Sequence, residues 1–520
     1  MRSETTESLF ARYGPAYRWW ATTTVMLGTI ASILTTTSVN VAIPDIMGAF
    51  GIGQDQAQWL STGTLAATTV GMLTNAWLMT TFGQRRTFMV GLIVFTVSLL
   101  LAGASPNETV LIFCRIAQGA VAGLMQPLSM YTLFRVFPHE QRGMAMGFFG
   151  AAIIIGPALG PTLGGVMIDS FNWRYIFYVA VPVSALGILM GSLFLPERED
   201  TGKRLSFDLP GFVLLVTALA CLLVGFSNGQ REGWRSDYIL GLFAVALAAA
   251  AGFVVRELRT PEPLVNLKVL ANAQFTGAAT VACIFGMGLF GSVYLVPLFV
   301  QTVQHLTPLA AGLLLMPAGL ALGLFMPLGG YLSDRLPARS LIVSGLVCFA
   351  LSAWWLVTVD VNTGFWWIAW CVVLSRIGLA LIKPALNLAA LKSLRPELLG
   401  QGAGMINFAR QLGGAFGVNL ISVALDRRTF LHSDVLTSVQ TAANSATAEL
   451  LLRVEGLLAQ AGASPDLQSA GALHYLGRVV HAQAYTMGFR DCFLLVAMVF
   501  MFGLIPAWIM GRTARGRASQ

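Results

Sequence analysis

Long apolar runs separated by short polar segments recur along the whole chain of 520 residues. Each run is roughly 20 residues long, the length that an α-helix needs to cross the hydrocarbon core of a bilayer. The runs begin at Trp19, Ala57, Thr87, Val110, Gly143, Tyr175, Leu209, Tyr238, Phe275, Leu309, Leu341, Phe365, Gly402 and Cys492. The pattern therefore predicts an all-α integral membrane protein with about fourteen transmembrane helices.

Composition agrees with this prediction. Hydrophobic residues make up 56% of the chain and charged residues only 11%, whereas soluble domains have about 25% charged residues. The net charge of +8 is spread along the chain rather than clustered in one domain, so no nucleic-acid partner is expected. The six cysteines stand singly, without the spacing of a metal site or a disulfide framework, and we expect no metal or cofactor.

Basic residues mark one side of the membrane. Of the 32 lysines and arginines, those at alternate ends of the predicted helices are Arg2, Arg12, Arg18, Arg85, Arg86, Arg135, Arg142, Arg198, Lys203, Arg204, Arg256, Arg259, Lys268, Arg335, Arg339, Lys392, Arg395, Arg512, Arg515 and Arg517. The short loops on the other side hold only Arg174, Arg231 and Arg235. Because basic loops stay in the cytoplasm, both termini are predicted to be cytoplasmic.

One long loop, residues 426–490, is predicted on the outer side between the last two spans. It contains two amphipathic runs at helical spacing. Their apolar positions are Leu450, Leu451, Val454, Leu457 and Leu458, followed by Leu473, Leu476 and Val480. Two interpretations remain open: a pair of helices lying at the membrane interface, or a docking surface for a periplasmic partner.

The fifth predicted helix is unusual because glycines and prolines recur in it every four residues. The four-residue spacing holds for Gly156, Gly160 and Gly164 and for Pro157 and Pro161, and the motif begins six residues earlier at Gly150. Glycines at this spacing share one helix face, where a neighbouring backbone can come close, and prolines remove backbone donors and bend the helix. A close-packing face is the simplest interpretation.

This segment resembles the antiporter motif in the fifth helix of the drug-exporting branch of the major facilitator superfamily, the 14-helix drug:proton antiporters of the EmrB/QacA type. The resemblance implies the major facilitator fold, with two six-helix bundles and two inserted helices. The implied domains are an N-terminal bundle in 1–200, the inserted pair in 201–270 and a C-terminal bundle in 271–520 that includes the periplasmic loop 426–490.

An internal repeat supports this duplicated architecture. The sequence from Gly330 to Asp334 and Arg335 resembles the superfamily's cytoplasmic G-x-x-x-D-R loop, whose Asp and Arg latch neighbouring helices. At the same spacing after the second predicted helix, Thr80 and Thr81 replace the Asp and the Arg. The latch is therefore predicted to be asymmetric.

Four basic residues, Arg115, Arg376, Lys383 and Arg410, lie inside predicted spans. At such positions an ionisable group normally faces a water-filled cavity or a partner.

Arg115 and Gln118 match a fourth-helix motif that the family implicates in proton coupling. The alternative is an arginine that ties this helix to the first by bonds to backbone carbonyls. Arg376 and Lys383 share a helix face and would favour an anionic amphiphile, unless Arg376 snorkels to the helix end. Arg410 resembles an arginine common in the family's thirteenth helix.

Acidic residues are nearly absent from the spans. The segment 34–44 resembles the family's first-helix signature, but its acidic position is occupied by Thr35. The nearest acid, Asp45, is predicted at the outer mouth. Lys383, the only lysine expected inside a span, is therefore a candidate proton carrier, together with Arg115 and Asp45.

The candidate substrate-cavity residues are Asn40, Gln118, Gln126, Arg376, Lys383, Asn387, Asn407 and Arg410. The resemblance implies a proton-coupled multidrug exporter of hydrophobic or amphiphilic compounds, working by alternating access among the lipids of the bacterial inner membrane. It would be the inner-membrane component of a tripartite pump, with a periplasmic adaptor and an outer-membrane channel as partners.

Three alternatives remain open. The first is a dedicated exporter of an anionic metabolite or fatty acid, suggested by the basic interior. The second is a membrane enzyme acting on lipid-linked substrates, although the spans contain no nucleophile–base pair, paired carboxylates or metal-ligand spacing. The third is a membrane scaffold or sensor.

Overall fold

The structure, a computed structural model, describes residues 5–197, 207–261, 263–306, 308–441, 444–508 and 510. The candidates Asn40, Gly156, Pro157 and Pro161 lie in helices, but their side chains are outside what the structure describes. The described residues form α-helices and short 3-10 turns, with no strand among them.

The N-terminal part contains α1 (Thr6–Tyr13), α2 (Tyr17–Phe50), α3 (Gln54–Phe82), α4 (Gln84–Gly103), α5 (Glu108–Val136), α6 (Arg142–Ser170), α7 (Tyr175–Val179) and α8 (Val181–Phe194). Helices α9 (Leu209–Glu232) and α10 (Asp237–Arg259) follow. The C-terminal part contains α11 (Ala273–Thr302), α12 (Pro308–Arg335), α13 (Ala338–Leu356), α14 (Phe365–Lys392), α15 (Leu399–Ser438), α16 (Ser445–Gln460) and α17 (Pro465–Phe502). Asn107, Ser236 and Asn272 cap α5, α10 and α11 by accepting first-turn backbone N–H groups.

Within the described residues, twelve segments are long and apolar enough to cross a membrane. Helices α3 and α6, with 29 residues each, are also long enough and pack among the twelve. The all-α membrane architecture predicted from the sequence is confirmed. Counting these two helices with the twelve segments gives fourteen possible spans among the described residues.

Helix packing repeats between the two parts of the chain. Helix α2 packs on α6, α3 on α5, and α4 on α5 and α8; correspondingly, α11 packs on α15, α12 on α14, and α13 on α14 and α17. We call the first set the N-bundle and the second the C-bundle. The bundles meet where α6 contacts α12 and where α3 contacts α15, which is again the same pairing. The inserted helices α9 and α10 pack on each other, and α9 also touches α3 and α15, one helix of each bundle.

The two ends of the bundles differ in charge. The basic end holds the turns between α3 and α4, α5 and α6, and α12 and α13, with Arg85, Arg135, Arg142, Arg335 and Arg339. It is the end that the sequence predicts to be cytoplasmic. The opposite end holds the tips of α2 and α6 and, after the last part of α15, helix α16.

Helices α15 and α17 are much longer than a bilayer requires. Their 40 and 38 residues correspond to roughly 60 Å each, about twice the thickness of the hydrocarbon core. Helix α15 passes through Asp426 without a break, so the expected loop at 426–490 is mostly helical. We call residues 427–438 of α15, helix α16 and residues 465–489 of α17 the long hairpin. The interpretation of two helices lying flat at the interface is wrong for the second run, because Leu473 and Val480 belong to the helix that continues into the last span.

Candidate functional site

A carboxylate closes the basic end between the two bundles. Asp334, in the last turn of α12, accepts hydrogen bonds from the backbone nitrogens of Gly143 (2.6 Å) and Met144 (2.9 Å) at the start of α6. The first N–H groups of a helix have no partner within it and attract negative charge. Asp334 therefore holds the C-bundle on the N-bundle at this end.

Small residues permit this close approach. A Cβ placed on Gly147 would lie 2.7 Å from the carbonyl oxygen of Met326, and one on Gly330 would lie 2.9 Å from the Cα of Gly147. Arg335, expected to share the latch, instead stacks on Tyr331 of its own helix, 4.3 Å from the ring centroid. At the repeated position of the N-bundle, Thr80 donates to the carbonyl of Ala76 in its own helix.

A polar cluster joins the bundles deeper in the molecule. Nη2 of Arg410 on α15 donates to Oε1 of Gln126 on α5 at 2.6 Å and lies 3.4 Å from Oδ1 of Asn407. Nδ2 of Asn407 donates to the carbonyl of Ala403 at 2.9 Å and lies 3.6 Å from the sulfur of Met130. All of these residues are buried. The cluster brings together three of the residues that the sequence selected.

Lys383 lies beside this cluster and has no hydrogen-bond partner in the part of the chain that the structure describes. Its Nζ is 5.7 Å from the ring centroid of Phe149 on α6, across the interface between the bundles, and the charge of Arg410 acts on it. In the described part of the chain it has no hydrogen bond or ion pair, although the residue is only 6% exposed. Asn387 follows one turn later and is equally buried. A buried lysine amine that no described group satisfies leaves a site for an anion or a polar group.

Arg376 lies two turns before Lys383 on the same helix. It is buried, and its Nη1 has no hydrogen-bond partner among the described residues. It therefore does not snorkel to the helix end. The buried acids among the described residues are Asp208 and Glu257, which belong to the inserted pair and not to the two bundles. The basic interior of the described bundles is thus not neutralised by buried carboxylates.

Arg115 belongs to a different contact. Its Nε donates to the carbonyl of Leu60 on α3 at 3.4 Å, and its Nη1 donates to Gln118 at 3.0 Å. Gln118 in turn donates to the carbonyl of Ser98 on α4 at 3.1 Å. The structure therefore places Arg115 and Gln118 in a network that ties α5 to α3 and α4, rather than to the first span, and away from the Arg410 cluster.

The remaining candidates are spread over the N-bundle. Asp45 is exposed near the end of α2, and Thr35 is buried and donates to the carbonyl of Ala31 at 2.9 Å. Gly160 and Gly164 pack on Thr37 and Ser38 of α2, and Ser38 Oγ donates to the carbonyl of Gly160 at 2.8 Å. Gly150 instead faces Met326 of the C-bundle. The small-residue motif is therefore a packing face with two different neighbours in the same chain.

Sequence reasoning missed four contact residues. Met130 and Phe149 give no signal in an apolar helix, and only the structure shows that they border the cluster. Gly143 and Gly147 were detectable, because the same G-x-x-x-G spacing recurs at Gly400 and Gly404. A Cβ on Gly404 would likewise meet the backbone of Met72 on α3.

Comparison with known proteins identifies this architecture. The family model described as "Major Facilitator Superfamily" matches residues 25–418. The chain belongs to the Major Facilitator Superfamily. This assignment makes it a multi-pass membrane transporter and places the Asp334 contact and the Arg410 cluster between the two halves of a major facilitator protein. Proteins of this superfamily are transporters and in general not enzymes, so the family supports the transporter interpretation over those of a membrane enzyme and of a scaffold.

Several relatives within the Major Facilitator Superfamily cover most of the chain. The "Multidrug export protein EmrB" of Haemophilus influenzae is 30% identical over 94% of this chain and 94% of its own length. The "Uncharacterized MFS-type transporter YhcA" of Bacillus subtilis is 29% identical, covering 92% and 90%. Among solved structures, the human organic anion transporter MFSD10 superposes with a TM-score of 0.58 at 15% identity, covering 93% of this chain and 99% of that one. The last similarity concerns the fold alone.

Proposed function

We propose that this protein is a proton-coupled exporter of hydrophobic or amphiphilic compounds that works by alternating access in the bacterial inner membrane. The observation that carries the proposal is the buried Lys383, unpartnered among the described residues, beside the Arg410–Gln126 contact between the bundles. The bacterial relatives named as multidrug exporters support the direction of transport and the breadth of substrates.

The contacts suggest how the site is opened and closed. Asp334 and the glycines around it keep the bundles together at the basic end. Export requires that these contacts form after a substrate has reached the cluster from the cytoplasm, and that they break again when the site reloads. Because Thr35 replaces the family's acidic residue, we assign the exchange of the proton to Lys383.

Transport in proteoliposomes tests this function. A fluorescent amphiphile should be transported when a pH gradient is imposed, and transport should stop when an ionophore dissipates the gradient. A protein that transports the compound equally with and without the gradient would have retained the fold but not the proposed proton coupling.

A second candidate, export of an anionic metabolite or fatty acid, is favoured by a specific observation. Arg376 and Lys383 are buried on one face of α14, and no buried carboxylate of the described bundles neutralises them. A matched pair of probes separates the candidates: a carboxylate-bearing fluorophore and its methyl ester. A multidrug exporter should transport both compounds, whereas a dedicated anion exporter should transport only the acid.

We further propose that the long hairpin binds a periplasmic adaptor and so connects the transporter to an outer-membrane channel. Its surface carries large exposed apolar side chains, which a protein in contact only with water seldom displays together. They include Phe430, Leu431, Val435, Leu452, Leu457, Leu467 and Leu473. Their position on helices that extend roughly 30 Å beyond the hydrocarbon core favours a protein partner over lipid.

A further inference from the structure

Two buried carboxyl groups lie close together in the inserted helix pair, outside the central cluster. Asp208 lies at the start of α9, and its side chain is only 2% exposed. Glu257 lies in the last turns of α10 and is 4% exposed. Oδ2 of Asp208 and Oε1 of Glu257 both border the same position, the site of a Cβ on Gly211. Nothing in the transport proposal uses either group.

The other oxygen of each carboxyl group is already bonded. Oδ1 of Asp208 accepts from the backbone nitrogen of Gly211 at 3.1 Å and from Nε of Arg256 at 2.7 Å. Oε2 of Glu257 accepts from the backbone nitrogen of Val265 at 3.2 Å. These bonds hold both side chains in place and leave one oxygen of each carboxyl group beside the Cβ position of Gly211.

The two remaining oxygens have no hydrogen-bond partner among the described residues. Such an orphan acceptor is rare in a folded protein, and leaving it unsatisfied is destabilising. Among the described residues, the charged groups that act on Glu257 are Asp208 and Arg256. Two carboxyl groups thus lie close together with one arginine beside them among the described residues.

We propose that Glu257 binds a proton at Oε1 and donates it in a hydrogen bond to Oδ2 of Asp208. A single proton on Glu257 gives both orphan oxygens a partner and removes one of the two negative charges. No other bond has to form or break: the proton comes from water and returns to water at alkaline pH. The inserted pair therefore contains a proton-binding site of its own.

The Asp208–Glu257 site lies next to the contacts between the inserted helices and the two bundles, so binding of a proton there can change how α9 packs on them. Phe207, next to Asp208, packs on Trp77 of α3 with ring centroids 4.6 Å apart, and α9 contacts both α3 and α15. Loss of the proton leaves two like charges in contact, which pushes the start of α9 away from the end of α10. The proton thus anchors the inserted pair at the interface between the bundles.

Infrared spectroscopy of the purified protein tests the shared proton. At neutral pH we expect a carbonyl band of a protonated carboxyl group that disappears in Glu257→Gln and persists in Asp237→Asn, a control at an exposed acid of the same helix. The amide introduced by Glu257→Gln can donate to Asp208 and replaces the proton. Asp208→Asn offers the same replacement from the other side if Glu257→Gln does not fold.

Thermal unfolding gives a second measurement that does not depend on transport. Because the folded protein holds a proton that the unfolded chain has already released, the Tm of the wild type should fall as the pH rises from mildly acidic values through neutral. It should level off at alkaline pH, where the folded protein has released the proton too. The Tm of Glu257→Gln should fall less. An unchanged infrared band together with parallel Tm profiles would overturn the proposal. So would a sodium-specific rise in the Tm of the wild type alone at alkaline pH, since that would identify a cation site.

Discussion

Lys383 is the residue on which the proposed function depends most directly. We expect Lys383→Met to fold, because the side chain has no hydrogen bond or ion pair in the described part of the chain. Transport of a carboxylate-bearing amphiphile should weaken about tenfold or more, since a charge-assisted hydrogen bond contributes about 1.5–3 kcal/mol. Initial rates in proteoliposomes measure the effect.

A second substitution at Lys383 can separate the binding of a charged substrate from proton coupling. Lys383→Arg keeps the positive charge but does not release a proton at accessible pH, so it should bind the anion and lose the response to a pH gradient. If Lys383→Met still exports the compound in response to the gradient, Lys383 is not the proton carrier and Asp45 becomes the next residue to test.

Arg115 and Arg376 are both buried arginines, but the structure gives them different roles. Arg115→Met removes the donor from Gln118 Oε1, and an unsatisfied buried acceptor destabilises a fold by about 1–3 kcal/mol. It also removes the bond to Leu60 O that ties α5 to α3, although Leu60 O still accepts from Oγ1 of Thr64. We expect its Tm to fall clearly. Arg376→Met removes no hydrogen bond seen among the described residues and should leave the Tm nearly unchanged. Equal Tm losses would contradict this division.

At the scale of the helix, the contact between α6 and α12 controls the basic end. Gly147→Ala would place a methyl group 2.7 Å from the carbonyl oxygen of Met326. The two helices then cannot come as close together as they do in the wild type. We expect a larger distance between spin labels at positions 139 and 340, on opposite sides of the contact, and slower export. Gly165→Ala is the matched control in α6, because no described atom lies within 4 Å of its Cβ position.

The asymmetry of the latch predicts a substitution that should favour closure of the basic end instead of opposing it. Thr80 occupies the place of Asp334 in the N-bundle, and helix α15 begins near it with Leu399, Gly400 and Gln401. Thr80→Asp would place a carboxylate near the positive N-terminal end of that helix, an interaction of about 0.3–1 kcal/mol. The same spin labels should then report a larger closed population, and Thr80→Asn, without the charge, a smaller gain.

These helices also show what the sequence could and could not reveal. Apolar run length identified the spans because the bilayer imposes it, and the glycine spacing identified packing faces. The sequence did not show which helix packs on each glycine face, since Gly150 and Gly160 lie in one motif but contact different bundles. Likewise, Arg115 and Arg410 carry the same charge in similar surroundings, and only their hydrogen bonds separate a tie between helices from a contact between bundles.

On the scale of the whole molecule, the long hairpin and the basic end are predicted to lie on opposite sides of the membrane. Single cysteines at Gln460 and Ser340, both exposed, test this in a chain whose six native cysteines are replaced. A membrane-impermeant maleimide added to intact cells should label position 460 and not position 340. Labelling of position 340 alone would invert the topology derived from the arginines.

Substitutions in the long hairpin can show whether transport across the inner membrane and release from the cell are separate steps. Leu452→Glu and Leu473→Glu place charges on its exposed apolar surface. If an adaptor binds there, transport in proteoliposomes should persist while export from cells with both membranes falls. Gln460→Glu, an exposed position of α16, controls for the added charge. Equal losses in proteoliposomes and in cells would mean that the hairpin supports the transporter itself, because proteoliposomes contain no adaptor.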